Sequence, residues 1–151
     1  DARRVDPDQA RKSVGRETTF GEDVADREAV ARTLLGLVEE VGRRLRRAGL
    51  AGRVVHVKLR TADFATVTRQ RALDAPADTT EAIWPAAREL FTNADTTRQA
   101  IRLIGVSLSD FDSQAQLGLF ASERDQRRRR VAHAIDALVA RFGDAVVRRG
   151  G

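Results

Sequence analysis

Between Asp26 and Ala48 the apolar side chains Val30, Leu34, Leu37, Val38, Val41 and Leu45 recur at three- and four-residue intervals, which predicts one buried face of a helix. Basic residues crowd positions 43–47, where cations suit the C-terminal dipole, and Gly49 supplies the stop. The period then changes. Val55, Val57 and Leu59 fall on one side of an extended segment, and His56, Lys58 and Arg60 fall on the other. That alternation predicts a half-buried strand with a basic outer side. Thr61, Ala62 and Asp63 read as a turn, and residues 64–73, rich in Thr and Arg, read as the partner strand of a hairpin.

Residues 74–78, with Pro76, predict a loop. A second helix follows, with Asp78, Thr79 or Thr80 as its cap and Ile83, Ala87, Leu90 and Phe91 as its stripe; Pro85 belongs in a first turn or at a kink. Residues 101–108 are mostly apolar, interrupted by Gly105, and predict another strand. Upstream, Lys12-Ser13-Val14-Gly15-Arg16-Glu17-Thr18-Thr19-Phe20 joins two bases, three hydroxyls and a Gly. It is a poor core segment and suits a short strand that brings small donors to a phosphate. Gly21, Glu22, Asp23 and Asp26 then read as a turn into the first helix. The expected fold is therefore α+β: a four-stranded, mainly antiparallel sheet (β-α-β-β-α-β) with two helices on one face, plus a C-terminal tail and helix. That last helix starts near Ser122, with Val131, Ile135, Leu138, Val139 and Phe142 on one face.

Charge sharpens this picture. The net charge is +5, but acids dominate residues 17–40 and bases dominate residues 43–71, a segregation that can present one basic surface. Phosphate is the anion such a surface suits, although solvated helix faces would give the same map. The chain has no Cys, and its two His, His56 and His133, lie far apart, which gives no zinc site. It begins at Asp1 and contains no Met, so an excised or processed piece is expected. No signal peptide or long apolar run is present, and a soluble, cytoplasmic protein without membrane contact is the expectation.

No reaction centre emerges. Asp63 and Asp74 lack a metal-binding partner, Ser13 has no nearby His in sequence, and no Gly-rich phosphate loop occurs. No catalytic residue, metal ligand or cofactor is therefore expected in this chain. Trp84 and Phe91 read as core, and the Arg run at 127–130 as a phosphate grip or a solvated helix start. Gln116-Leu117-Gly118-Leu119-Phe120 places large apolar residues in a polar stretch. Either they pack back as a staple for the last helix, or they dock in a partner's pocket with Leu119 and Phe120 as anchors and Gln116 as polar clamp.

The 12–20 stretch resembles the signature that opens the little-finger domain of Y-family DNA polymerases, in the DNA polymerase IV class. The likeness continues through Val57-Lys58-Leu59-Arg60, Asp63-Phe64, Thr66-Val67-Thr68-Arg69 and Ile101-Arg102-Leu103-Ile104-Gly105-Val106. The 116–120 segment looks like the pentapeptide by which bacterial polymerases bind the sliding clamp, with Gly118 where the pattern often carries Ser or Asp. The resemblance implies a sheet lying in the major groove and holding the backbones of primer-template DNA. Carried over, its DNA-binding residues are Lys12, Ser13, Gly15, Arg16, Thr18, Lys58, Arg60, Thr66, Thr68, Arg69 and Arg102, and its clamp-binding residues are Gln116, Leu117, Leu119 and Phe120. Leu103 and Ser107 stand where relatives place bases. Arg16 depends on a bulge near Gly15, since a regular strand turns it to the side of Val14 and Phe20.

The resemblance also implies a parent that performs error-prone translesion synthesis with Mg in a palm domain this chain does not contain. Residues 1–11 are then a linker, 12–111 the little-finger domain, 112–121 the clamp-binding peptide (for the β subunit) and 122–151 the terminal helix and tail, expected to be monomeric alone. Two other readings stay open. One is a non-catalytic adaptor that binds a partner through its tail and terminal helix. The other is an RNA platform, for which the sheet lacks paired stacking aromatics.

Overall fold

The computed structural model describes residues 12–113 and 123–142. Its elements run β1 (Ser13–Val24), α1 (Arg27–Ala48), β2 (Leu50–Thr61), β3 (Thr66–Ala77), α2 (Thr80–Ala94), β4 (Ile101–Ser113) and α3 (Glu123–Phe142). The strands form one antiparallel sheet in the order β1-β4-β2-β3. The predicted α+β order is the one observed, with β4 inserted between β1 and β2.

Helix α1 forms where its apolar spacing and caps agree. The Asp26 carboxylate accepts from the backbone N–H groups of Glu28 and Ala29, and Gly49 closes the helix in the left-handed region at φ 71°. All six residues of the predicted stripe are buried. They meet Val55, Val57 and Leu59 of β2, Ile104, Val106 and Leu108 of β4, and Ile83, Ala87, Leu90 and Phe91 of α2 in one core layer. Helix α2 is capped by the Thr79 hydroxyl. Pro85 stands inside it at an exposed position, and Glu81, whose carbonyl loses its partner, is an exposed residue too.

Two predicted turns are absorbed into edge strands. β1 continues through Gly21, Glu22 and Asp23, and its pairing with β4 shifts between Thr19 and Val24. β3 continues across Asp74 and Pro76 to Ala77, with a shift opposite Gly52 and Val54. An edge position tolerates both, because the missing ladder bonds face outward or fall in a bulge. Phe64, assigned from sequence to the partner strand, lies instead in the hairpin turn at φ 68°. There the Asp63 carboxylate accepts from the Ala65 N–H at 3.2 Å and from the Thr61 hydroxyl. These bonds, that of Thr61 first, hold its pKa below the usual carboxylate range.

Opposite ends of the domain are fastened by ion pairs between distant residues. Arg27, at the start of α1, donates to Asp95, the C-cap of α2, at 2.8 and 2.6 Å, and to the carbonyls of Ala25 and Gln99. The bond raises the Arg27 pKa and lowers that of Asp95. Near the other end of α1, buried Arg46 makes a bidentate pair with Asp136 of α3, at 2.7 and 3.0 Å, and donates to the Asp78 carbonyl. Helix α3 is therefore held by its polar side. Val131, Ile135 and Leu138, predicted to form its apolar face, are each more than half exposed. No described helix is long and apolar enough to cross a membrane.

Candidate nucleic-acid interface

Strand register decides which side chains share the face away from the helices. Val55, Val57 and Leu59 point into the core, so their neighbours Val54, His56, Lys58 and Arg60 point out. Pairing extends this across the sheet in rows. Ser13, Ser109, Val54 and Ala72 form one, and Gly15, Ser107, His56 and Gln70 the next. Glu17, Gly105, Lys58 and Thr68 form the third, and Thr19, Leu103, Arg60 and Thr66 the last. Lysine, arginine, histidine, threonine and serine thus meet on one open surface without any contiguous motif having joined them.

The floor of that surface is made of small residues because the strands converge there. A Cβ on Gly15 would lie 2.6 Å from the Cβ of Ser107, and one on Gly105 would lie 2.8 Å from the Cβ of Glu17. Ordinary cross-strand partners hold their Cβ atoms roughly 4.5–5.5 Å apart, so only Gly fits at either place. The result is a groove of about 830 Å³ lined by Lys12, Ser13, Gly15, Arg16, Glu17, Arg44, His56, Lys58, Thr68, Gly105, Val106, Ser107 and Ser109. Arg44 reaches from α1 to the Gly15 carbonyl at 2.8 Å and covers the β1 edge.

Beside the groove on the same face, Arg60 donates to the Thr66 hydroxyl at 3.0 Å, which holds its guanidinium outward over β3. Lys58 and Glu17 approach to 3.1 Å across Gly105. His56 Nε2 lies 2.9 Å from Ser109 Oγ. Desolvation pushes the His56 pKa below its ordinary value, and the bond with Gln70 offsets this only in part. At neutral pH the ring therefore offers a hydrogen bond and no charge. Arg102 sits where the β4 pairing with β2 shifts between Arg60 and Thr61; it bonds Asp23 at 3.3 Å and lies 4.4 Å from the centroid of the exposed Phe64 ring.

Three expected residues fall on the other side. Strand β1 is regular from Ser13 to Thr19, with no bulge at Gly15. Arg16 therefore pairs beside core-facing Val106 and its guanidinium bonds Glu40 of α1 at 2.8 Å, so it leaves the open-face set. Thr18 pairs beside buried Ile104 and goes with it. Arg69 pairs with buried Val57, while Thr66 and Thr68, of opposite parity, stay on the open face. Lys12 and Ser13 are exposed at the β1 end of the groove. Sequence reading missed Ser107 and Ser109 as lining residues and Gln70 on the same face; the two serines flank core-facing Leu108 and follow from strand alternation, whereas Gln70 follows only from its pairing with His56. Gln116, Leu117, Leu119 and Phe120 lie outside the described residues.

A four-stranded antiparallel sheet with helices on one face and a groove lined by bases and hydroxyls on the other defines an open-faced platform domain of the α+β class. The chain belongs to the impB/mucB/samB family, whose C-terminal domain matches residues 11–119. It is 43% identical, over 99% of its length, to the DNA polymerase IV of Caulobacter vibrioides, and 40% identical, over 99%, to the DNA polymerase IV 1 of Mesorhizobium japonicum. The chain spans 37% and 34% of those two relatives. Among solved structures it is similar to the little finger domain of a Pol IV in complex with a β-clamp processivity factor, with a TM-score of 0.52 and 26% identity, over 68% of this chain and 92% of that one. These findings bear out the resemblance read from the motifs to the DNA polymerase IV class.

Proposed function

We propose that this chain is the part of an error-prone translesion DNA polymerase that grips primer-template DNA and binds the sliding clamp. The observation that carries the first half is the register. It brings Lys58, Arg60, Thr66 and Thr68 onto one face with Ser13, Gly15, Ser107 and Ser109. Cations there neutralise phosphates, and hydroxyls with backbone N–H groups complete the hydrogen bonds to phosphate oxygens. The open face presents no paired aromatics for stacking bases and no rigid recognition element for reading base edges. The grip is therefore on the backbone and independent of sequence, as bypass of altered bases requires. Nucleotidyl transfer and its Mg ions belong to the rest of the parent polymerase. The similar little finger domain is one solved with a β clamp, which supports the second half; the docking role goes to residues 116–120 on their likeness to the clamp-binding pentapeptide.

Salt dependence tests the phosphate grip. With Lys12, Lys58 and Arg60 each releasing a counterion, the logarithm of duplex affinity falls against the logarithm of salt with a slope of about −3. Fluorescence anisotropy between low and moderate salt measures it. A slope near zero sinks the phosphate-contact account.

A further inference from the structure

One member of the groove has the wrong sign for gripping DNA. Glu17 lies in the same cross-strand row as Lys58, two strands away, and their charged groups meet at 3.1 Å because Gly105 between them has no side chain. Both side chains keep substantial exposure, 52% for Glu17 and 39% for Lys58, so the pair adds little to folding and opens readily. Other ion pairs join adjacent strands of the sheet: Arg53 bonds Asp112 at 2.6 Å, and Arg102 bonds Asp23 at 3.3 Å. Arg60 differs, holding the neutral hydroxyl of Thr66.

We infer that Glu17 is an internal substitute for phosphate, occupying Lys58 in the groove and thereby limiting how tightly, and for how long, the open face holds DNA. The inference rests on the reading of this face as the duplex site. A phosphate reaching Lys58 must displace the Glu17 carboxylate, which stays nearby because its strand is fixed and repels the incoming anion. Release is the reverse step, in which the carboxylate recaptures Lys58 and expels the phosphate. A polymerase domain built this way lets go of DNA quickly without lacking basic residues.

The test compares Glu17→Gln with the unmodified chain for binding to a blunt DNA duplex, by anisotropy and by stopped-flow dissociation. Gln keeps the size and removes the charge. Affinity rises about fivefold at low salt, chiefly through slower dissociation, and the gain shrinks as salt rises. In a Lys58→Gln background the same change yields at most about twofold, because the competition has lost its object. Glu17→Thr, suited to a strand, gives the same ordering should the Gln variant fold poorly. Unchanged or weaker binding by Glu17→Gln overturns the inference. An equal gain in both backgrounds overturns it too, since Glu17 would then be a mere negative charge unconnected to Lys58. If the unmodified chain shows no salt-dependent duplex binding, the underlying reading of the face fails instead.

Discussion

Replacing Lys58 and Arg60 together by Ala is expected to weaken duplex binding about a hundredfold at low salt while leaving the fold intact. The two side chains leave the central strand β2 on the open face, between Gly105 and Leu103 of β4 and Thr68 and Thr66 of β3. Neither takes part in the core, which is made by Val55, Val57 and Leu59 of the same strand pointing the other way. Each charge-assisted hydrogen bond to phosphate contributes about 1.5 kcal/mol, so removing two costs about 3 kcal/mol, or two decades in Kd. The salt slope becomes shallower by about two, one counterion for each cation removed. Arg16 and Arg69 provide the contrast. Replaced together by Ala, they leave duplex affinity within about threefold, since they lie on the helix side of the two edge strands. A loss as large as that for the β2 pair would mean that the DNA wraps the sheet edges.

Replacing Leu119 and Phe120 by Ala is expected to remove clamp binding without changing the melting temperature. Short docking peptides concentrate their affinity in a few apolar anchors that fill preformed pockets, and two such anchors contribute about 4 kcal/mol together. The described core draws its buried residues from positions 30–108, with both helices and the central strands already packed on each other. A surface-plasmon measurement against immobilised clamp should show affinity reduced more than a hundredfold. A drop in melting temperature of several degrees would show instead that 116–120 packs back on the domain as a staple. Clamp binding by the intact chain without measurable duplex binding would favour the adaptor reading.

Most of the fold was legible where one period ran unbroken. The α1 stripe and the β2 alternation each place every apolar residue in the core, because a helix face and a strand face are fixed by spacing alone. What could not be read were the places where distant contacts set the outcome. Thr68 and Arg69 were both assigned to the DNA face, yet neighbours in a regular strand point opposite ways, and only the pairing of Lys58 with Thr68 decides between them. Arg16 hung on a bulge that β1 does not contain. The edge strands ran through Gly21 and Pro76 because edge positions forgive missing ladder bonds. Helix α3 turned Val131, Ile135 and Leu138 outward because Asp136 finds Arg46 ninety positions earlier in the chain. An ion pair of that separation leaves no local pattern.

Amide chemical shifts of the isotopically labelled chain, followed while a DNA duplex is titrated in, test the central claim most directly. The account predicts that the largest changes fall at Ser13, Gly15, Lys58, Thr68, Gly105 and Ser107, which line the groove across all four strands, and at Thr66 beside it. The outward faces of α1 and α2 should stay unmoved. Changes centred on those helices, with the open face of the sheet silent, would contradict it.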